Sequence, residues 1–177
     1  MTSVTPATVS VAPRFPSICG RKGSTNRAYW YSDSHAETID DAFDQYVASK
    51  FYSPYQAAQA AEEFMDTMER AKRGDLEHVD EIRPINPATT KPETIYEIKT
   101  HWHNSKRSAD TSGYLGARLF HGEPPQRPNT IIGVYLMCKS EYSDDDDEWL
   151  AQTGAAKSAA WRFDECRKKN WCDLHEI

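Results

Sequence analysis

The sequence predicts an α+β protein with two N-terminal helices, a small antiparallel sheet and a C-terminal helix. Apolar residues recur at helical spacing over 35–49, 54–73 and 154–169. Apolar and polar residues alternate, as in strands, over 95–102, 114–120 and 131–138. These strands follow one another through short connections, which favours antiparallel pairing. A chain of 177 residues is long enough for one domain of ordinary size.

The first two helices carry start and stop signals. Ser34 and Glu37 have the spacing of a capping box, and the helix that follows has one apolar face. That face holds Ile39, Phe43, Tyr46 and Val47.

The second helix begins after Ser53, with Pro54 at its first position and Gln56 completing a capping box, and ends at Gly74. Its predicted apolar stripe is Ala57, Ala61, Phe64, Met65 and Met68.

The rest of the chain follows from weaker signals. We expect residues 1–26 to form a flexible tail, because they lack a helical or strand period, and residues 27–177 to form a single domain. Tyr29–Tyr31 is predicted as a first strand, and 75–93, with three prolines, as an ordered loop or a short edge segment. Trp171–Ile177 reads as a C-terminal extension.

Composition points to a soluble cytoplasmic protein. Mean hydropathy is −0.77 and net charge is −6, with no apolar run long enough to span a membrane and no secretory signal pattern. The four cysteines lack Cys-x-x-Cys spacing, so reduced thiols are expected. A zinc site built from Cys166, Cys172 and His175 is the alternative.

One face of the predicted sheet gathers positive charge. Alternation places Lys99, His101 and His103 of the first long strand opposite its buried residues. By the same rule Arg118 and Lys139 turn away from the buried residues of their own strands. The segment 99–139 has six Lys or Arg against two acids, so the charge of the chain is segregated.

Such a face suits an anionic ligand, RNA in particular. Imidazoles move protons near neutral pH, and Lys or Arg stabilises charge that develops on a phosphoryl group. His101 and His103 could instead hold a metal ion. The acidic run Asp144–Glu148 is interpreted as a solvated loop that leads into a helix N-terminus, and a divalent-cation site is the alternative.

The order of elements resembles the RelE/HigB/ParE toxin superfamily, particularly its phage-type HigB-like branch. The resemblance rests on Ile95-Tyr96-Glu97-Ile98-Lys99, on Ala117-Arg118-Leu119-Phe120, on an apolar strand that ends in Lys139, and on a closing Ala-rich helix. It spans roughly Tyr29 to Asn170.

The resemblance implies a toxin of a type II toxin–antitoxin system, a ribosome-dependent mRNA endonuclease that works without a metal. Its partners would be an antitoxin and mRNA on the ribosome, and no cofactor is expected. By position, Lys99, Arg118 and Lys139 match basic residues of the family. From this positional match together with the chemistry of the side chains, we predict that three residues are catalytic: His101, Arg118 and Lys139. Lys99, His103, Lys106, Arg107 and Tyr142 are predicted to bind RNA.

Two other classes of function stay open. The acidic chain is also compatible with a phage-type inhibitor or antidefence protein that binds another protein and has no catalytic activity. A toxin fold directed at another target, such as gyrase or a modified nucleotide, is the third possibility.

Overall fold

The computed structural model describes residues 17–32, 36–90, 93–104, 113–140 and 145–177. Its strands are β1 Arg27–Tyr31, β2 Ile82–Pro84, β3 Ile95–Asn104, β4 Gly113–Gly122, β5 Thr130–Ser140 and β6 Leu174–Glu176. Its helices are α1 Ile39–Tyr46, α2 Pro54–Arg73, α3 Pro87–Thr90 and α4 Asp145–Lys168, with short 3₁₀ turns at Ile18–Gly20 and Ala48–Lys50. Within these ranges, no helix combines the length and the apolar character that a membrane crossing requires.

The six strands form one mixed sheet in the order β2-β3-β4-β5-β1-β6. The three predicted strands β3, β4 and β5 are confirmed. Each pairs antiparallel with the next one along the chain. The expectation of a purely antiparallel sheet is wrong, because β1 pairs in parallel with β5. The C-terminal extension is also part of the sheet, since β6 pairs with β1. The edge strands β2 and β6 are only three residues long, too short to show a period.

Helix α1 begins later than predicted. Its N-cap is Thr38, which forms a capping box with Asp41: the Thr38 hydroxyl accepts from the Asp41 backbone N–H at 3.1 Å, and the Asp41 carboxylate accepts from the Thr38 N–H. The predicted cap, Ser34, lies outside the described residues. Ser34 and Thr38 both fit the sequence rule for a capping box, and in the structure Ile39 is the first helical residue.

Helix α2 has the predicted ends. The Ser53 hydroxyl accepts from the Gln56 backbone N–H at 3.2 Å, Pro54 opens the helix and Gly74 ends it in the left-handed conformation. Its buried stripe is rotated from the predicted one and runs through Ala60, Phe64, Thr67, Met68 and Ala71.

The sheet separates two apolar cores. On one face, α1 and α2 pack Phe43, Phe64 and Trp102 together, with ring centroids 5.2 and 5.9 Å apart. On the other face lies α4, whose Ala156, Ala159 and Phe163 cover Phe120 and Val134 among other residues.

The register of the β4–β5 pair shifts between Phe120 and His121. Across this irregularity, the side chains of β5 no longer alternate regularly between the two faces of the sheet. Strand alternation in the sequence predicts that Ile132, Val134, Leu136 and Cys138 share one face of β5. Instead Ile132 and Val134 pack under α4, whereas Leu136 and Cys138 pack under α1 and α2.

Two boundaries also differ from prediction. Helix α4 begins at Asp145, nine residues before the predicted start at 154, so most of the acidic run belongs to its first turns rather than to a loop. At the other end, the folded part includes residues that we assigned to the tail. Cys19 is buried, and the Asn26 side chain donates to the Ala71 carbonyl at 3.0 Å, which anchors this segment to α2.

Gly74 provides a test of that anchoring. Its φ is +72°, and an added Cβ would lie 2.1 Å from the Arg21 carbonyl oxygen. Gly23 has a similar φ of +79° with open space around it, so it is the matched control. We expect Gly23→Ala to lower the free energy of unfolding by about 1–2 kcal/mol from backbone strain alone. Gly74→Ala should cost clearly more in urea titrations, and equal costs would contradict the packing.

The ion pair between Arg70 of α2 and Glu81 predicts a pH dependence. A bidentate contact at 2.5 and 2.6 Å, chiefly through its hydrogen bonds, holds the pKa of Glu81 below its usual value. The pair therefore stabilises the fold above the unfolded-state pKa, and this contribution is lost as pH falls through the lowered folded-state pKa. Glu81→Gln should cost up to about 1 kcal/mol at pH 7. The gap should close as pH falls through the lowered folded-state pKa, and a gap that does not narrow in acid would contradict the assignment.

Candidate functional site

The register of β3, β4 and β5 brings five predicted residues to one face of the sheet. Lys99 lies directly opposite Arg118, and residues opposite each other share a face. His101 lies opposite Gly116, which in turn lies opposite Lys139. His103 follows two residues after His101 on the same face. This is also the face on which α4 packs.

The row His101–Gly116–Lys139 is exposed at its His101 end, whereas Gly116 in the middle of the row is buried. The His101 side chain is exposed and Lys139 is half-buried. Gly116 has no side chain, and a Cβ there would lie 3.3 Å from His101 Cδ2 and 2.9 Å from the Thr100 carbonyl oxygen. Two inter-strand spacings separate the flanking backbones, about 10 Å. The imidazole of His101 and the ammonium of Lys139 thus belong to strands on either side of Gly116, with the His101 ring lying against the Gly116 position.

Lys99 is held beside this row by a neighbouring loop. Its Nζ donates to the Val79 carbonyl oxygen. Burial, followed by the positive charges of Arg83 and Arg118, lowers the pKa of Lys99. Arg83 and Arg118 therefore add positive charge around Lys99, and the carboxylates of Glu97 and Asp80 lie near it as well.

Arg118 has a different environment from the one predicted for a substrate-contacting cation. The residue is 6% exposed, and its Nε lies 3.4 Å from Oε1 of the fully buried Glu97. The same carboxylate accepts from Arg83 Nε at 2.6 Å and from the Gln152 amide of α4 at 2.9 Å. Arg118 is thus part of a buried charge network beneath α4.

The remaining predicted RNA-binding residues fall in two groups. The His103 ring packs edge-on against Tyr114, with centroids 5.4 Å apart, at the end of the β3–β4 pair. Lys106, Arg107 and Tyr142 lie outside the described residues.

A second cluster, which the sequence analysis missed, lies on the opposite face of the sheet. Cys19 Sγ is 3.5 Å from His121 Nε2, and His121 Nε2 is 3.2 Å from Glu123 Oε1. The Ser17 hydroxyl donates to the same carboxylate oxygen at 2.5 Å. Tyr96 stacks on the His121 ring and covers it. The His-x-Glu spacing at the end of β4 was the available sequence signal, because residues i and i+2 of an extended chain share a face.

The cluster also perturbs the pKa values of its members. Burial lowers the pKa of His121, but the interactions with Cys19 and Glu123 outweigh burial and raise it to about 9. Burial raises the pKa of Glu123, whereas its hydrogen bonds with His121, Ser17 and Ile18 bring it below its usual value. The Nδ1 atom of His121 is buried without a hydrogen-bond partner.

The zinc site considered from Cys166, Cys172 and His175 does not form among the described residues, and the side chains of the acidic run Asp144–Glu148 lie outside that part of the chain. In those ranges, the group of three ligand atoms close enough to share an ion is Cys19, His121 and Glu123. Cys166 is buried in the core under α4, whereas Cys172 is exposed, so these two and His175 do not make a joint site.

Glu97→Gln tests the buried network. The substitution keeps the shape of the side chain and leaves Arg118 buried without its carboxylate, so we expect a loss of about 3–5 kcal/mol in the free energy of unfolding. Glu81→Gln, which breaks a half-exposed ion pair, is the matched control and should cost at most about 1 kcal/mol.

The double variant Glu97→Gln/Arg118→Met provides a second measurement. It should recover part of the stability lost by Glu97→Gln, because it removes the unpaired cation. Equal and small losses in Glu97→Gln and Glu81→Gln would contradict the network.

Comparison of the chain with family models, with curated proteins and with solved structures gives no match. The functional assignment therefore depends on the geometry of these two groups of residues and on the order of the elements.

Proposed function

We propose that this chain is the toxin of a type II toxin–antitoxin pair and cleaves mRNA on the ribosome. The observation that carries the proposal is the row in which exposed His101 and half-buried Lys139 flank Gly116, with Lys99 beside it. The order of the longer elements supports it as well: helices α1 and α2, strands β3, β4 and β5, and the Ala-rich helix α4. The resemblance to the RelE/HigB/ParE superfamily rests on this order, and the structure adds β1 before it, the short β2 and α3 between α2 and β3, and β6 after it.

The proposed reaction is attack of a ribose 2′-hydroxyl on the adjacent phosphorus. A base removes the proton of the hydroxyl, the O2′–P bond forms and the P–O5′ bond breaks. An acid then supplies a proton to the departing O5′ atom. The products are a 2′,3′-cyclic phosphate and a 5′-hydroxyl. This chemistry needs a proton-transfer group and cations at the phosphate oxygens, and it uses no metal.

His101 and Lys139 have the positions that these roles require. The His101 imidazole is the proposed proton-transfer group, since it is exposed and lies beside Gly116. Lys139 would contact the phosphate oxygens from the strand on the other side of Gly116, and Lys99 adds positive charge from the next row. Arg118 acts as a positioning residue, because its ion pair with Glu97 fixes the part of β4 that carries the row.

The partners follow from the same face. An antitoxin would neutralise the chain by covering His101 and Lys139, and acidic side chains would suit that surface. The mRNA would bring its phosphate to the exposed end of the row, beside His101, where an unstacked base could contact the exposed ring of Tyr114.

Substitutions in the row test the proposal directly. We expect His101→Ala and Lys139→Ala to lower translation-dependent mRNA cleavage by roughly 10²–10³-fold with little change in melting temperature. Lys157→Ala removes an exposed lysine on the outer side of α4 and is the matched control for charge. Growth after induction and the 5′ ends of cleaved mRNA are the measurements.

Two results would contradict the proposal. One is full toxicity in both row variants with their folding intact. The other is a wild-type chain that neither slows growth nor cleaves mRNA in translating extracts.

The second result would favour a protein-binding inhibitor. One observation supports this alternative: a shallow groove between α1 and α2 combines apolar Phe43, Phe64 and Met65 with the carboxylates of Asp40 and Asp44. Such a surface suits a basic partner with an apolar anchor. Charge reversal at Asp40 and Asp44 would then abolish binding of that partner, whereas the row variants would leave it unchanged.

A further inference from the structure

We propose that Cys19, His121 and Glu123 form a zinc-binding site that joins the N-terminal segment to the end of β4. This inference is independent of the proposed RNA cleavage, because the cluster lies on the opposite face of the sheet. Its ligand atoms are Cys19 Sγ, His121 Nε2 and one carboxylate oxygen of Glu123, and all three lie within 4.8 Å of one another.

Two of the three separations between these atoms are close to the edges of a zinc tetrahedron, and the third is longer. The distances are 3.5 Å from Sγ to Nε2, 3.2 Å from Nε2 to Oε1 and 3.9 Å from Sγ to Oε1. Bonds of about 2.3 Å to sulfur and 2.0–2.1 Å to nitrogen or oxygen, at tetrahedral angles, give edges of about 3.3–3.6 Å. A single ion at the centre of the three atoms would therefore need only small movements.

Hydrogen bonds alone do not satisfy all the polar atoms of the cluster. His121 Nε2 carries at most one hydrogen, yet it faces both the sulfur of Cys19 and the oxygen of Glu123. The thiol of Cys19 reaches Glu123 only at 3.9 Å, too long for a strong bond. A cation that accepts lone pairs from all three atoms removes this conflict, and it stabilises the thiolate form of the cysteine.

The donor set selects the metal by class. One thiolate, one imidazole and one carboxylate form a mixed set of the kind that zinc takes, whereas magnesium and calcium prefer oxygen alone. Ser17, buried and 2.5 Å from Glu123 Oε1 through its hydroxyl, lies next to the site. The Ser17 hydroxyl also accepts from the Cys19 backbone N–H at 3.1 Å, so it holds the turn that presents the cysteine.

The burial of the site indicates a structural role. Cys19 and His121 are both fully buried, so no substrate reaches an ion held between them. The two residues are 102 positions apart in the chain, and a shared ion would close that long loop. Zinc would thereby fix the segment before β1 against the sheet.

The full chain, stripped with a chelator and dialysed, provides the test. Zinc content is measured by mass spectrometry of the metal, and affinity by competition with a chromophoric chelator. Cobalt(II) is added in parallel, because a thiolate ligand gives it a charge-transfer absorption that oxygen and nitrogen ligands do not. The variants are Cys19→Ser, His121→Gln and Glu123→Gln, with Cys172→Ser, an exposed cysteine, as the matched control.

We expect one zinc ion per wild-type chain, a higher melting temperature with zinc, and a thiolate band with cobalt. Loss of a group that only orients a ligand weakens metal binding about 10–100-fold, so loss of a ligand should weaken it at least about 100-fold. Cys172→Ser should bind like the wild type.

Wild-type protein that shows neither the cobalt–thiolate band nor zinc-dependent stabilisation overturns the proposal, even if the variants fail to fold. Binding that survives Cys19→Ser but is lost in Cys172→Ser also overturns it.

Discussion

A carboxylate buried in the middle of the sheet constrains much of this fold. Glu97 is fully enclosed, and a charge in that position is tolerated only when every neighbouring donor is in place. Its partners come from three different elements: Arg83 of β2, Arg118 of β4 and Gln152 of α4. Pairing of the edge strand, register of the central strands and docking of α4 are thus linked through one side chain, and a slip in any of them would leave charge unpaired.

This network also separates structural from accessible charge on the basic face. Arg118 and Lys99 are adjacent in the sheet, but the first pairs with Glu97 under α4 and the second reaches a loop carbonyl. The exposed side chain lies one row further along, at His101, with half-buried Lys139 on the other side of the buried Gly116. The buried Arg118 thus stabilises the fold, whereas the exposed imidazole of His101 can contact a ligand.

The parts of the fold that could be predicted are those with local causes. Ser53, Pro54 and Gly74 set the ends of α2 through contacts within a few residues, and alternation located β3, β4 and β5. The basic face was predictable for the same reason, since its members follow strand alternation. Their accessibility was not: the burial of Arg118 depends on Glu97 and on where α4 lies, which no local pattern records. The irregularity at β5 likewise moved Val134 to the other face.

The Cys19 cluster lies beyond local reasoning for a related cause. Its members come from a turn before β1 and from the end of β4, and only the folded sheet brings them together. Strand β4 therefore serves both groups, with Gly116 near one end on the α4 face and His121 near the other end on the α2 face. Several residues and the thickness of the sheet separate them. Because the row and the cluster share a strand but no side chain, changes at His121 should act on the fold, whereas changes at His101 should act on the chemistry.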